Sequence, residues 1–172
     1  MTENDFKKNY FELLSLEASF EIDVVLLRDR MRALQMRFHP DRFVNASPQE
    51  RRLSVQYAAL INEAFDVLRS PVSRAAYLLQ LKSIDVEFEK NVVFDPEFLM
   101  QQMQWREALE KARAKGDTSL AKTVDDDLHK TMQVMLSQLT ELFKNDDENS
   151  LMQAKSITRK LKFCLKMQEK LN

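Results

Sequence analysis

Pro40 constrains this chain more than any other residue, because it is the one proline of four that no helix start accounts for. Pro48, Pro71 and Pro96 follow Ser47, Ser70 and Asp95. That is the cap-then-proline order, in which the missing N–H is not needed at the first helical position. Pro40 instead follows a long amphipathic run and keeps His39 out of the helical region of backbone space. A helix must stop there, and a turn must carry His39 and Asp41. A rigid, polar His39-Pro40-Asp41 tripeptide at the tip of two helices is a candidate contact site.

The flanking segments fit that reading. Asn9 and Glu12 stand at capping-box spacing ahead of Leu13 and Leu14, which predicts a short first helix that must dock on the later helices. Asp23 is the N-cap of a second helix, with Ile22 and Leu27 at the two hydrophobic-staple positions. Its apolar stripe is Val24, Leu27, Met31, Leu34 and Phe38. Arg28 and Arg32 share one flank of it, Arg30 and Arg37 another. On a helix such a charge run is ordinarily a solvated face, but beside a rigid polar loop it points to an acidic partner. Ser47-Pro48-Gln49-Glu50 is a full start signal for a third helix, whose stripe is Leu53, Tyr57, Leu60, Ile61, Ala64 and Leu68. Facing stripes and a short connection predict an antiparallel hairpin with the tripeptide at its tip. Ser70-Pro71 restarts a helix that runs to Leu81.

Residues 82–94 are expected to be a junction, packed rather than flexible because it is not rich in glycine and serine; within it Val92-Val93-Phe94 is an apolar run too short to assign. Residues 95–172 then hold three helices. The first opens at Asp95-Pro96 and closes at Gly116, the single glycine. The second carries Leu120, Val124, Leu128, Met132, Met135, Leu139 and Leu142 up to the break Asn145-Asp146-Asp147-Glu148. The third carries Ala154, Ile157, Leu161, Cys164 and Leu165. The predicted fold class is all-α: residues 1–81 as a helical hairpin with two short helices, then an antiparallel three-helix bundle. In the bundle's first helix Phe98, Trp105, Leu109 and Ala112 suffice as a core stripe, while Leu99, Met100 and Met103 fall on another face with Glu107 and Glu110 alongside. Phe163 and Met167 lie off the last helix's stripe in the same way. Pattern alone leaves these second strips open between further core, which it favours, and an adaptable binding surface.

Several function classes are excluded. A formal net charge of -1 argues against bulk binding to nucleic acid or to an anionic membrane, and the lysines of the last helix read as a solvated face. One cysteine, Cys164, allows neither an internal disulfide nor a cysteine-cluster metal site. The first residues are polar and acidic, and no apolar span reaches membrane length, so a soluble, cytoplasmic protein without metal or cofactor is expected. Catalysis has no support: His129 is a lone histidine after Asp125-Asp126-Asp127, Cys164 sits on an apolar stripe, and no phosphate loop, metal pair or nucleophile elbow occurs.

Taken in order, Tyr10-Phe11-Glu12-Leu13-Leu14, Arg37-Phe38-His39-Pro40-Asp41-Arg42, Ile61-Asn62-Glu63-Ala64-Phe65 and Arg74-Ala75-Ala76-Tyr77 resemble a J-domain. Phe98-Leu99-Met100, Arg106-Glu107 and Lys160-Leu161-Lys162-Phe163 extend the resemblance over the whole chain to the HscB family of iron-sulfur co-chaperones. The resemblance implies that His39, Pro40 and Asp41, with Arg28, Arg32, Arg37 and Arg42, engage an HscA- or DnaK-type chaperone and stimulate its ATPase. It implies that Leu99, Met100, Met103, Glu107 and Phe163 bind the scaffold protein IscU for delivery. Met103 stands where this family usually has leucine, and Gln104 and Lys111 stand where acidic residues are frequent. A general J-protein acting on unfolded clients is the alternative.

Overall fold

The computed structural model describes residues 6–86, 95–145 and 147–171. Among them the regular structure is helical, with no strand. The chain divides into two compact units, Met1–Leu78 and Leu79–Asn172.

The first unit begins with α1 (Tyr10–Leu13), closed at its start by the predicted reciprocal bonds between Asn9 and Glu12. Four residues cannot hold a helix alone; α1 is fixed by burial of Phe11, Leu13 and Leu14. It is fixed also by the Tyr10 backbone N–H donating to the Tyr77 hydroxyl at 3.0 Å and by stacking of the two rings at 4.4 Å. The Tyr10 hydroxyl donates to Glu63 Oε1 at 2.8 Å, and burial together with that carboxylate pushes the phenol up to about 12.

Helix α2 (Val24–Phe38) starts at Asp23, whose carboxylate accepts from the N–H groups of Val25 and Leu26. Helix α3 (Pro48–Arg69) starts at Ser47 with Glu50 completing the box. The two run antiparallel: Gln35 Nε2 donates to Asn62 Oδ1 at 2.7 Å, and nearer the tip Phe38 meets Tyr57 edge-on at 4.7 Å. Tyr57, Ile61, Ala64 and Leu68 of α3 are buried as the periodicity predicts. On α2 the burial is narrower: Leu27 and Phe38 are buried, Met31 and Leu34 half-buried, and Val24 is exposed. Helix α4 (Pro71–Leu81) follows at Ser70, and the division between the units falls within it. Its Arg74 is buried, donating through Nη1 to the Leu68 carbonyl at 2.6 Å and lying 5.2 Å from the centre of the Phe20 ring.

The second unit takes the end of α4, the segment to Val86, and helices α5 (Pro96–Lys115), α6 (Thr118–Lys144) and α7 (Glu148–Glu169). In the described part of the expected junction Lys82, Ser83 and Asp85 are exposed, while Val86 is buried and its carbonyl accepts from Arg159 Nε at 2.6 Å. The run Val92-Val93-Phe94 lies outside the described residues. Gly116 closes α5 in the left-handed conformation at φ 65°, the one place where the fold uses glycine's freedom. Consecutive helices are antiparallel: Trp105 Nε1 donates to Asp127 Oδ2 at 2.7 Å between α5 and α6, and Gln168 Nε2 donates to Asp125 Oδ1 at 3.0 Å between α6 and α7. Phe98, Trp105, Ala112, Val124, Leu128, Met135, Leu139, Ala154, Leu161 and Cys164 fill the interior.

Candidate functional site

Two surfaces carry the residues singled out by the sequence, one in each unit. In the first, α2 ends at Phe38, His39 adopts φ -58° and ψ 131°, and Pro40–Phe43 form one 3-10 turn. The His39 and Asp41 side chains stand out into solvent, 57% and 85% exposed. His39 Nδ1 accepts from the Asp41 backbone N–H at 3.3 Å, and Asp41 Oδ2 lies 3.4 Å from the same nitrogen. One ring nitrogen therefore faces two groups: unprotonated it takes the backbone N–H, and protonated it can donate to the carboxylate. Proline holds the backbone beneath both, so the pair is displayed with little conformational freedom left to lose on binding.

The arginines divide into two kinds. Arg28 and Arg32 are exposed along α2. Arg37 and Arg42 brace the loop: the Arg37 guanidinium lies 5.1 Å from the centre of the Phe38 ring, and Arg42 Nη1 donates to the Met36 carbonyl at 3.0 Å. That carbonyl is in the last turn of α2, where backbone acceptors lack helical partners, so Arg42 caps the helix that Pro40 ends. Met36 and Val44 are exposed apolar residues flanking the loop, and Val24, Val25 and Leu26 are exposed at the other end of α2. Periodicity assigned Val24 to the core and left the others unassigned. Asking which apolar residues the α2 stripe omits would have found Met36.

The second surface is the outward face of α5. Phe98, Trp105 and Ala112 are buried and Leu109 half-buried, so the core stripe is already occupied. Leu99, Met100 and Met103 point away from it at 54%, 62% and 63% exposure. Glu107 stands one turn beyond Met103, paired with Lys111 at 2.6 Å; the ammonium keeps its carboxyl below the usual range. Phe163 is half-buried, edge-on to Phe98 at 5.9 Å and beneath the Arg106 guanidinium at 5.7 Å. Those contacts tie Phe163 to α5. Met167, which shares the off-stripe position of Phe163 in sequence, is buried and belongs to the core.

The remaining candidates do not form chemistry. Cys164 is buried, and loss of water pushes its thiol up to about 12, away from the reactive thiolate. His129 is exposed and bonded to Gln168, with Asp125 at 3.8 Å. Among the described residues no group of three His, Cys, Asp or Glu side chains is placed to hold a metal, and no helix is long and apolar enough to cross a membrane.

A co-chaperone protein HscB homolog of Shewanella loihica is 43% identical over 167 residues, covering 95% of each chain. The chain belongs to the HscB family. A Shewanella halifaxensis homolog of the same description is also 43% identical, over 164 residues that cover 95% of this chain and 94% of its own. Residues 94–172 match the family model described as the HSCB C-terminal oligomerisation domain. Among solved structures, chaperone HscB from Vibrio cholerae is similar with a TM-score of 0.84 and 39% identity over 95% of each chain. Human co-chaperone protein HscB is similar with a TM-score of 0.89 and 28% identity, over 95% of this chain and 80% of that one. The HscB architecture of a J-domain followed by a helical bundle is therefore the architecture of this chain.

Proposed function

We propose that this protein is a co-chaperone of iron-sulfur cluster assembly, working in the cytoplasm, that binds an IscU-type scaffold and delivers it to an HscA- or DnaK-type chaperone whose ATPase it stimulates. The observation that carries the reading is the outward strip Leu99, Met100 and Met103 on a helix whose core stripe is already filled. Adjacent exposed side chains of this size are unfavourable in water unless a partner covers them. Methionine adapts its shape to the surface it meets. With Glu107 and Phe163 beside it, the strip supplies an apolar centre and a polar edge for a folded partner.

The His39-Pro40-Asp41 loop does different work. It makes and breaks no covalent bond; it binds one conformation of the chaperone better than another and so shifts that partner's equilibrium toward hydrolysis. Arg28 and Arg32 contribute long-range attraction to an acidic surface, while Arg37 and Arg42 hold the loop's shape. A steady-state ATPase assay of the chaperone, with and without the scaffold, tests the whole reading. This protein and the scaffold together should stimulate more than the sum of each alone. Asp41→Asn should abolish stimulation at unchanged helix content while retaining scaffold binding, and Leu99→Ala with Met103→Ala should lose scaffold binding at unchanged melting temperature. Full stimulation by Asp41→Asn removes the loop's assigned role. Preference for unfolded chains over the folded scaffold makes the protein a general co-chaperone instead.

A further inference from the structure

Glu107 is an edge charge of the α5 face, and its own helix already answers it. Lys111, one turn further on, reaches the Glu107 carboxylate at 2.6 Å while both side chains remain exposed, 59% and 66%. Glutamate four residues ahead of lysine is the favourable order for such a pair on a helix. The neighbouring cation, Arg106, lies over the Phe163 ring and so leans toward α7. The exposed apolar trio Leu99, Met100 and Met103 therefore adjoins an acid whose charge is locally compensated.

We propose that Lys111 is an internal competitor for Glu107, so that a scaffold docking on Leu99, Met100 and Met103 must displace this lysine before a basic side chain of its own can take the carboxylate. This rests on the reading of the α5 face as the scaffold site. An exposed ion pair is weak enough to be opened by a partner, so Lys111 reduces affinity without blocking the face. The competition has two consequences. Scaffold binding by the natural chain is driven by the apolar trio and depends little on salt. Lys111 also biases the face against partners recognised mainly through their positive charge, because the charge they would read is cancelled until the lysine leaves.

The test is a double-mutant cycle of scaffold binding by the full chain, using the IscU-type scaffold of the same organism, with wild type, Lys111→Gln, Glu107→Gln and both together. Glutamine at 111 keeps a polar surface, so any gain is not added apolar area. At low salt Lys111→Gln should bind about two- to fivefold more tightly, the size expected for release of an exposed pair. That gain should vanish at roughly 0.5 M salt, where charges are screened within a few ångströms. Glu107→Gln should erase the gain that Lys111→Gln brings. Lys111→Arg should behave as wild type. Weaker binding by Lys111→Gln, or a gain that survives Glu107→Gln, overturns the proposal. Failure of the wild-type chain to bind scaffold, or undiminished binding by Leu99→Ala with Met103→Ala, removes the docking face itself. The two failures are therefore distinguishable.

Discussion

Arg74 shows how much one buried side chain can carry in the J-domain. Its Nη1 donates to the Leu68 carbonyl, an acceptor in the last turn of α3 that has no helical partner, and its guanidinium lies over Phe20. Its Nε is buried with no hydrogen-bond partner among the described residues, and loss of water lowers its pKa from the usual value. Among the described residues the charge is therefore held in place by the Leu68 carbonyl and the face of the Phe20 ring. Arg74→Met should cost about 2 kcal/mol, since it strips the Leu68 carbonyl of a charged donor while replacing an imperfectly satisfied cation. Urea unfolding monitored by near-ultraviolet tyrosine signal measures it. An unchanged midpoint would show that methionine packing on Phe20 makes up the difference. Nothing local in the sequence announces this burial. Arg74 stands in α4 among Val72, Ala75 and Leu78 and reads as an ordinary charged helix residue, because its acceptor is in the preceding helix and its ring partner lies before α2.

At the scale of the element, helix starts were the most legible part of the chain, because a cap is decided within four residues. Asn9, Asp23, Ser47 and Asp95 all accept the backbone bonds their positions predicted. Those bonds also set a pH dependence. Hydrogen bonds from Ser47 hold the Glu50 carboxyl below its ordinary 4.5, while Lys160 and the Phe98 N–H hold Asp95, and Ser150 holds Asp147, below the ordinary 3.8. A carboxyl whose pKa is lower folded than unfolded favours the folded state above its unfolded value. That contribution is lost as pH falls through the lowered folded value. Stability from these caps should therefore be flat near neutrality and decline below about pH 4.5. Ser47→Ala should lower the neutral urea midpoint and make the acid decline shallower, as an acid titration followed by circular dichroism would show; an equally steep decline would place the proton uptake elsewhere. What caps could not decide was which face of α5 turns inward. Phe98, Trp105, Leu109 and Ala112 and the strip Leu99, Met100 and Met103 both have helical spacing. The choice is made by α6 and α7, through Asp127 accepting from the Trp105 indole and Phe163 meeting Phe98 edge-on.

For the whole molecule, the distribution of aromatic residues allows the two units to be followed separately. The single tryptophan, Trp105, lies in the unit Leu79–Asn172, and all three tyrosines, Tyr10, Tyr57 and Tyr77, lie in Met1–Leu78. Trp105 is buried with its indole N–H bonded to Asp127, so its emission reports the bundle core directly. Tyr10 and Tyr77 are stacked at 4.4 Å, so their near-ultraviolet dichroism reports the J-domain. Each unit has its own buried core, Phe11, Leu27, Ile61 and Leu68 in one and Leu128, Leu139, Leu161 and Cys164 in the other. Separate cores are expected to give separate cooperative transitions. Arg74→Met should then lower the tyrosine transition and leave the tryptophan transition in place. Leu128→Ala, which empties a fully buried site in α6, should cost about 3 kcal/mol and do the reverse. The division between the units falls inside α4, so a helix that resists fraying would join the two transitions. If both substitutions move both signals together, the protein unfolds as one body with α4 as its coupling element. Loss of scaffold binding would then accompany any destabilised J-domain variant. If the signals move apart, the His39-Pro40-Asp41 loop and the Leu99, Met100 and Met103 strip can be altered independently, as the proposed linking of two partners through distinct surfaces requires.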